Sequence, residues 1–268
     1  MSDNNQSSYR SIFKATSLFG GVQVYQILIQ IIKSKFIAIL LGPAGIGIIG
    51  LYQSGLQFVQ QLTNMGLAQS AVRDVSEANG TGDKQRIAHT ITVVRRLVWI
   101  TGLLGLIAVA VLSPLLSKSS FGNYDYTIPF IILSFTLLLD QLSAGQKVVL
   151  QGMRRLKELA KCSAFGATFG LITSVPLYYF IGIKGIVPSL ILNSACMLLL
   201  SWIYSKRVKV EPIRVTTKQT FEQGKLMLIM GVSMSINGIL STGVAFIIRS
   251  YIQNVGGVDE VGLYQAGF

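Results

Sequence analysis

The chain has 268 residues, of which 51% are hydrophobic and only 13% are charged, and its mean hydropathy is +0.56. Soluble domains carry about 25% charged residues, so this composition excludes an ordinary soluble globular protein and indicates a membrane protein. The net charge of +12 could suggest a nucleic-acid-binding protein. The distribution of the basic residues, described below, argues against that class.

Apolar stretches long enough to cross a bilayer as helices recur along the whole sequence. A bilayer core needs about 20 apolar residues per helical span. In chain order, the predicted spans are residues 13–41, 44–70, 97–116, 128–150, 162–182, 186–204 and 226–253, and an eighth opens near 258. The first is interpreted as a retained helix rather than a signal peptide, because no small-residue cleavage site follows it.

The basic residues are distributed unequally between the two ends of these spans. Eighteen of the 23 Lys and Arg residues lie before the first span, in alternate connections, or where a span meets one of those connections. They are Arg10, Lys14, Arg73, Lys84, Arg86, Arg95, Arg96, Lys147, Arg154, Arg155, Lys157, Lys161, Lys206, Arg207, Lys209, Arg214, Lys218 and Lys225. The opposite connections hold only Lys118 and Lys184. This asymmetry predicts a multi-pass protein with a cytoplasmic N-terminus, and it accounts for the charge without a nucleic-acid partner.

Two short sequence echoes indicate an internal repeat. Residues 50–55 (GLYQSG) return as 262–267 (GLYQAG), and residues 31–34 (IIKS) return as 247–250 (IIRS), with offsets of 212 and 216. The echoes predict one unit of about 210 residues followed by the start of a second, as in the N-terminal part of a duplicated protein. The expected division is a six-helix lobe at 1–204, a cytoplasmic linker at 205–225, and the beginning of a second lobe at 226–268.

Strongly polar residues fall on single faces of three predicted spans, since helical neighbours recur at three, four and seven residues. The stripes are Thr16, Gln23, Gln26, Gln30 and Lys33 in the first span, Gln53, Gln57, Gln60 and Asn64 in the second, and Thr136, Asp140, Ser143 and Lys147 in the fourth. Such stripes either form hydrogen bonds between helices or line a hydrated cavity. Four amides on one helix favour the cavity, and amides suit a neutral polyhydroxylated ligand because they both donate and accept.

Three charged residues within spans are candidates for a functional site. Lys33 continues the amide stripe, whereas Lys35 lies on nearly the opposite side of the helix and can reach the headgroups. Arg249 matches Lys33 in the repeat, so the two cations are expected at similar depth and facing each other, with phosphate or pyrophosphate as their counter-ion. The alternatives for the cations are snorkelling or a pair with Asp140. Asp140 is a candidate ion-coupling site or merely the partner of a cation.

Other reactive residues give no indication of a metal or cofactor site. Cys162 and Cys196 lie within spans at no metal-like spacing and are expected to pack. The lone His89 is expected in a solvated cytoplasmic loop. Pro176 predicts a kink in the fifth span. No cofactor is expected.

Several short motifs resemble Wzx-type O-antigen and enterobacterial-common-antigen translocases, which are polysaccharide flippases of the MOP exporter superfamily. They are residues 41–47 (LGPAGIG), 121–126 (FGNYDY), 151–154 (QGMR) and 259–262 (DEVG), and the likeness runs along nearly the whole chain. It implies an all-α, MOP/MATE-like bundle of two six-helix lobes around a central cavity that opens alternately to each side. This chain would supply the first lobe and the start of the second.

The resemblance also implies a substrate, a location and partners. The substrate would be an undecaprenyl-pyrophosphate-linked oligosaccharide, carried across the bacterial cytoplasmic (inner) membrane, and the partners would include a polysaccharide polymerase and a chain-length regulator. The resemblance also implies cationic residues in the cavity that contact the pyrophosphate, and in this sequence that role maps onto Lys33 and Arg249. Two alternatives remain, namely a MATE-like drug or cation antiporter and a membrane polymerase or acyltransferase of the same pathway. The short outer connections and lack of clustered acids and histidines disfavour the enzyme, so no enzymatic activity is expected.

Overall fold

The structure, a computed structural model, describes residues 2–208, 210, 213 and 215–267, and it describes side chains from residue 20 onward apart from those of residues 218 and 219. Every regular element in these ranges is helical. The helices are α1 (Ser2–Asn64), α2 (Leu67–Thr81), α3 (Lys84–Phe121), α4 (Thr127–Gly152), α5 (Leu156–Ile181), α6 (Ile186–Ser205), α7 (Thr217–Gly256) and α8 (Val258–Ala266), with a 3-10 turn at Gly182–Gly185. The predicted positions that lie outside the described residues or side chains are Arg10, Lys14, Thr16, Lys209, Arg214 and Lys218.

Five helical segments of the described chain are long and apolar enough to cross a membrane. Two of them contain an internal break, at Gly42 in the segment Gly20–Asn64 and at the 3-10 turn in the segment Leu156–Ser205. A straight helix of 45 residues would be about 68 Å long, more than twice the thickness of a bilayer core. Counting each broken segment twice gives the seven predicted crossings. The prediction of an all-α polytopic membrane protein is confirmed.

Two single glycines turn the chain where helices meet. Gly42 has φ 65° and ψ −170°, and Gly257 has φ 86° and ψ −179°. This region of backbone conformation is almost restricted to glycine. Beyond Gly257 the chain runs back alongside itself, because Arg249, eight residues before the turn, hydrogen-bonds Gln265, eight residues after it. The predicted division of the first two spans at Gly42 is therefore matched by a second turn of the same kind.

The helices that follow these two glycines cross each other at close range. A Cβ atom at Gly47 would overlap the carbonyl oxygen of Val258, and a Cβ atom at Gly262 would overlap that of Pro43. Gly47 lies four residues after Pro43 and contacts Val258, whereas Gly262 lies four residues after Val258 and contacts Pro43. Pro43 and Val258 therefore have equivalent positions in the two units. The two units are thus related at an offset of 215, which differs from both offsets of the sequence echoes.

The core consists of two apolar clusters with a polar layer between them. One cluster joins α2, the start of α3, the end of α4 and the start of α5, and the other joins the middle of α1, the end of α3, the start of α4 and α8. Between them, Gln141 Nε2 donates a hydrogen bond of 2.8 Å to Thr101 Oγ1, and both residues are buried. Bonded pairs of this kind hold helices together where burial of an unpartnered amide would be costly.

Several predicted boundaries differ from the structure, either because the backbone turns within a predicted span or because charged residues outside the bilayer continue a helix rather than end it. The second span ends at Asn64, since Met65 and Gly66 have φ of 49° and 63°. Much of the predicted connection 73–96 is helical, and α3 begins after Asp83, whose carboxylate accepts the Gln85 N–H at 2.8 Å. α7 begins inside the predicted linker 205–225, and α5 continues as helix through Pro176.

Candidate functional site

The amide stripe of the first half of α1 lines an open polar cavity between α1, α5 and α6. Gln26, Gln30 and Lys33 face α5 and α6 across a cavity of about 390 Å³. The opposite wall is supplied by Ser163, Gly166, Ala167, Gly170, Asn193 and Met197. Lys33 is half-buried and makes no ion pair or hydrogen bond within the described part of the chain. We call this space the lysine cavity.

The amide stripe of the second half of α1 lines another polar cavity, of about 170 Å³. Gln53, Gln57 and Gln60 face Asp140 of α4 across it. Ser194 of α6 lines the same cavity beside Asp140, and the charge of Lys147, one of the predicted residues of the same helix as Asp140, acts on its carboxylate. We call this space the aspartate cavity.

Asn193 of α6 lines both cavities. It can approach α5 closely because the facing residue is a glycine, and a Cβ atom at Gly170 would overlap Asn193 Oδ1. Residues 26–33 and 53–60, from the two halves of α1, therefore contribute to two cavities that share Asn193. Sequence reasoning missed Asn193 because it forms no stripe, although it is the one amide in an otherwise apolar helix.

The remaining predicted site residues lie elsewhere. Arg249 Nε donates to Gln265 Oε1 at 3.0 Å, its Nη1 reaches the carbonyl of Ala245 at 3.4 Å, and it lines neither cavity. Asn64 accepts the N–H of Gly66 at 2.9 Å and so stabilises the turn into α2. Gln23 is exposed, lies on the first half of α1, and is outside both linings. The structure therefore brings most of the predicted residues together in two groups.

Charged groups also meet at the end of the bundle that carries the basic connections. A cavity of about 700 Å³ between α2, α3 and α7 is lined by Arg73, Asp74, Glu77, Arg86 and His89, among others. Arg86 pairs with Glu77 at 2.7 Å, and no other ion pair occurs among the described residues. Burial raises the pKa of the Asp74 carboxyl, and the Arg73 charge opposes that effect. His89 is half-buried on a helix rather than in the predicted loop.

Comparison with known proteins gives a family and a fold. A family model described as a polysaccharide biosynthesis protein matches residues 36–268. The inward-facing conformation of a multidrug resistance MATE family transporter of the MOP superfamily is similar in fold, with a TM-score of 0.67 at 17% sequence identity. That similarity covers 90% of this chain and 56% of the transporter chain, so this chain spans little more than half the length of the protein it matches. No protein among the curated sequences matches significantly.

The family match agrees with the resemblance carried by the short motifs of the sequence. The model covers most of the chain, and the fold similarity extends over nearly all of it. The chain belongs to the polysaccharide biosynthesis protein family and has the fold of a MOP-superfamily exporter.

Proposed function

We propose that this chain forms the first lobe, and the start of the second, of a flippase in the bacterial cytoplasmic membrane. The flippase moves an undecaprenyl-pyrophosphate-linked oligosaccharide, such as an O-antigen or related repeat unit, to the periplasmic leaflet by alternating access. The family and the exporter fold support a transport role in polysaccharide synthesis. A polysaccharide polymerase and a chain-length regulator are the partners this role requires.

The observation that carries the proposal is the chemistry of the lysine cavity. Gln26 and Gln30 offer donors and acceptors that match sugar hydroxyls. Lys33 has no carboxylate partner among the described residues, and an unpaired cation inside a membrane bundle is expensive unless an anionic ligand binds it. Pyrophosphate is such a ligand. A drug-cation antiporter would instead need an acidic group here, and the described lining of this cavity contains none.

Arg249 has the corresponding role in the second lobe under this proposal. Two of its five N–H groups are directed at Gln265 and Ala245, so the others remain able to bind a phosphate oxygen. Asp140 is the candidate for ion coupling, because a carboxylate in a small polar cavity can take up a proton or a cation.

The test uses cells that lack their own flippase and carry the full-length gene from which this chain derives. The measured quantity is the amount of undecaprenyl-linked oligosaccharide that reaches the periplasmic leaflet. Lys33→Ala should lower this amount at least about tenfold, as expected for the loss of about 1.4 kcal/mol of charge-assisted binding. Lys35→Ala is the matched control, because Lys35 is exposed two residues away.

Arg249→Ala is expected to have the same effect as Lys33→Ala at unchanged protein levels. Transport that survives both substitutions would retain the flippase and discard the cationic site. If the native protein moves no matched lipid-linked oligosaccharide, the drug-antiporter alternative becomes the better explanation.

A further inference from the structure

A fourth, largely apolar groove lies between the first turns of α4 and α6, and it shares no lining residue with either the lysine cavity or the aspartate cavity. It has a volume of about 820 Å³, and Tyr52 of α1 forms part of its wall. Its sides are built by Ile128 and Ile132 of α4 and by Val187 and Ile191 of α6. We call this space the outer groove, because it lies at the face of the bundle where Lys118 and Lys184 are found.

The two helices present similar apolar surfaces to the outer groove. Each has a proline in its first turn, Pro129 in α4 and Pro188 in α6, and both prolines lack the N–H group that other residues offer a polar ligand. Ile128 is 68% exposed and Leu192 is 41% exposed. Aliphatic side chains exposed at the edge of a membrane bundle contact hydrocarbon, so the walls fit acyl chains.

The mouth of the outer groove carries one charge of each sign. Asp125 precedes α4 and Lys184 precedes α6, and both line the groove. Neither side chain has a hydrogen bond or an ion pair within the described part of the chain. They are therefore available to two opposite charges of a single ligand. Lys118, the other lysine at this face, lies 5.8 Å from the ring centroid of Tyr124 and outside the groove.

We propose that the outer groove binds a glycerophospholipid whose headgroup carries both a phosphate and a primary ammonium, as in phosphatidylethanolamine. Lys184 binds the phosphate, Asp125 accepts hydrogen bonds from the ammonium, and the acyl chains lie between α4 and α6. A purely anionic headgroup is disfavoured because it makes one favourable charge contact, with Lys184, instead of two, and its negative charge lies near that of Asp125. A quaternary ammonium headgroup is disfavoured because it has no N–H group to donate.

The experiment is a competition measured by native mass spectrometry on the full-length detergent-purified protein. Equal amounts of phosphatidylethanolamine, phosphatidylcholine and phosphatidylglycerol are added, and the bound fraction of each is recorded. We expect phosphatidylethanolamine to be preferred about fivefold, the ratio that corresponds to about 1 kcal/mol for an exposed charge contact. Asp125→Asn and Lys184→Ala should each remove this preference.

Two substitutions at the same face serve as controls. Lys118→Ala and Asp259→Asn remove charges outside the outer groove and should leave the preference unchanged. Ile191→Trp fills the groove without changing a charge and should reduce binding of all three lipids. A preference for phosphatidylglycerol, or one that survives both Asp125→Asn and Lys184→Ala, would overturn the proposal. The readout is independent of oligosaccharide transport, so its outcome does not depend on the proposed function.

Discussion

Lys33 and Lys35 are close in sequence but differ in environment, since two residues subtend about 200° on a helix. Lys33 lines the lysine cavity with Gln26 and Gln30, while Lys35 is exposed. Helical periodicity was enough to separate them. It could not identify Asn193, which lines both polar cavities and lies against Gly170 of α5.

Asn193→Leu tests whether the two polar cavities act together. The leucine has nearly the same size but neither donates nor accepts, so the polar group that the linings of the two cavities share is lost. We expect transport to fall about tenfold while the free energy of unfolding changes by less than about 1 kcal/mol, since replacing a half-buried polar group by an apolar one of similar shape is nearly neutral. Transport in cells and thermal unfolding of the purified protein measure the two quantities.

Asn193→Gln is the conservative comparison for that substitution. It keeps the amide and should retain more transport than Asn193→Leu. Equal loss in both variants would indicate that the shape of α6, rather than the amide, matters at this position.

At the scale of helices, the crossing of the second half of α1 with α8 sets how closely the two units approach. Gly47 and Gly262 each lie against a backbone carbonyl of the other helix, at Val258 and Pro43. Backbone cannot move aside as a flexible side chain can, so any side chain at either position must push the helices apart.

Gly47→Val should therefore destabilise the protein by about 1–3 kcal/mol, the usual cost of overpacking. Thermal unfolding of the purified full-length protein would show this as a lower midpoint than that of the native protein. Gly80→Ala is the control, because a Cβ atom at Gly80 meets nothing within 4 Å. It should raise stability by about 0.5–1 kcal/mol by favouring the helix. Equal stability of Gly47→Val and the native protein would contradict the observed crossing.

The number of membrane crossings and the turn at Gly42 follow from the sequence, because hydropathy and glycine-proline chemistry are local properties. The ends of α2, α3 and α7 do not follow from it, since hydropathy marks the bilayer rather than the helix. The sequence also pairs Gly256-Gly257 with Gly42-Pro43, each about two turns after the matched cations, and in the structure Gly257 has the same kind of backbone conformation as Gly42. The sequence echoes predicted the repeat, but their offsets of 212 and 216 do not match the structural offset of 215. The two echoes are only four and six residues long, so the sequence cannot show whether each is shifted in register or a gap separates them.

For the molecule as a whole, the unequal distribution of basic residues predicts its orientation in the membrane. Lys157, in the first turn of α5, belongs to the basic face, and Lys184, in the 3-10 turn before α6, belongs to the other. Both side chains are exposed. The charged cavity around Arg86 lies at the basic face, whereas the outer groove lies at the other face. The two faces therefore differ in the residues that line their cavities as well as in the number of basic residues.

Cysteine labelling of intact cells tests this orientation. In a full-length protein with Cys162 and Cys196 replaced by alanine, Lys184→Cys should react with a membrane-impermeant maleimide. Lys157→Cys should react only after the cells are permeabilised, because the positive-inside distribution places it in the cytoplasm. Reaction of Lys157→Cys in intact cells, without reaction of Lys184→Cys, would reverse the topology.

At Gly42 a single residue makes the turn, so no loop separates the two halves of α1. An inserted residue there has no loop in which to be absorbed, so it would rotate the following helix by about 100°. Gln53, Gln57 and Gln60 would then leave the aspartate cavity together. An insertion or deletion at this turn would therefore change which residues line the aspartate cavity.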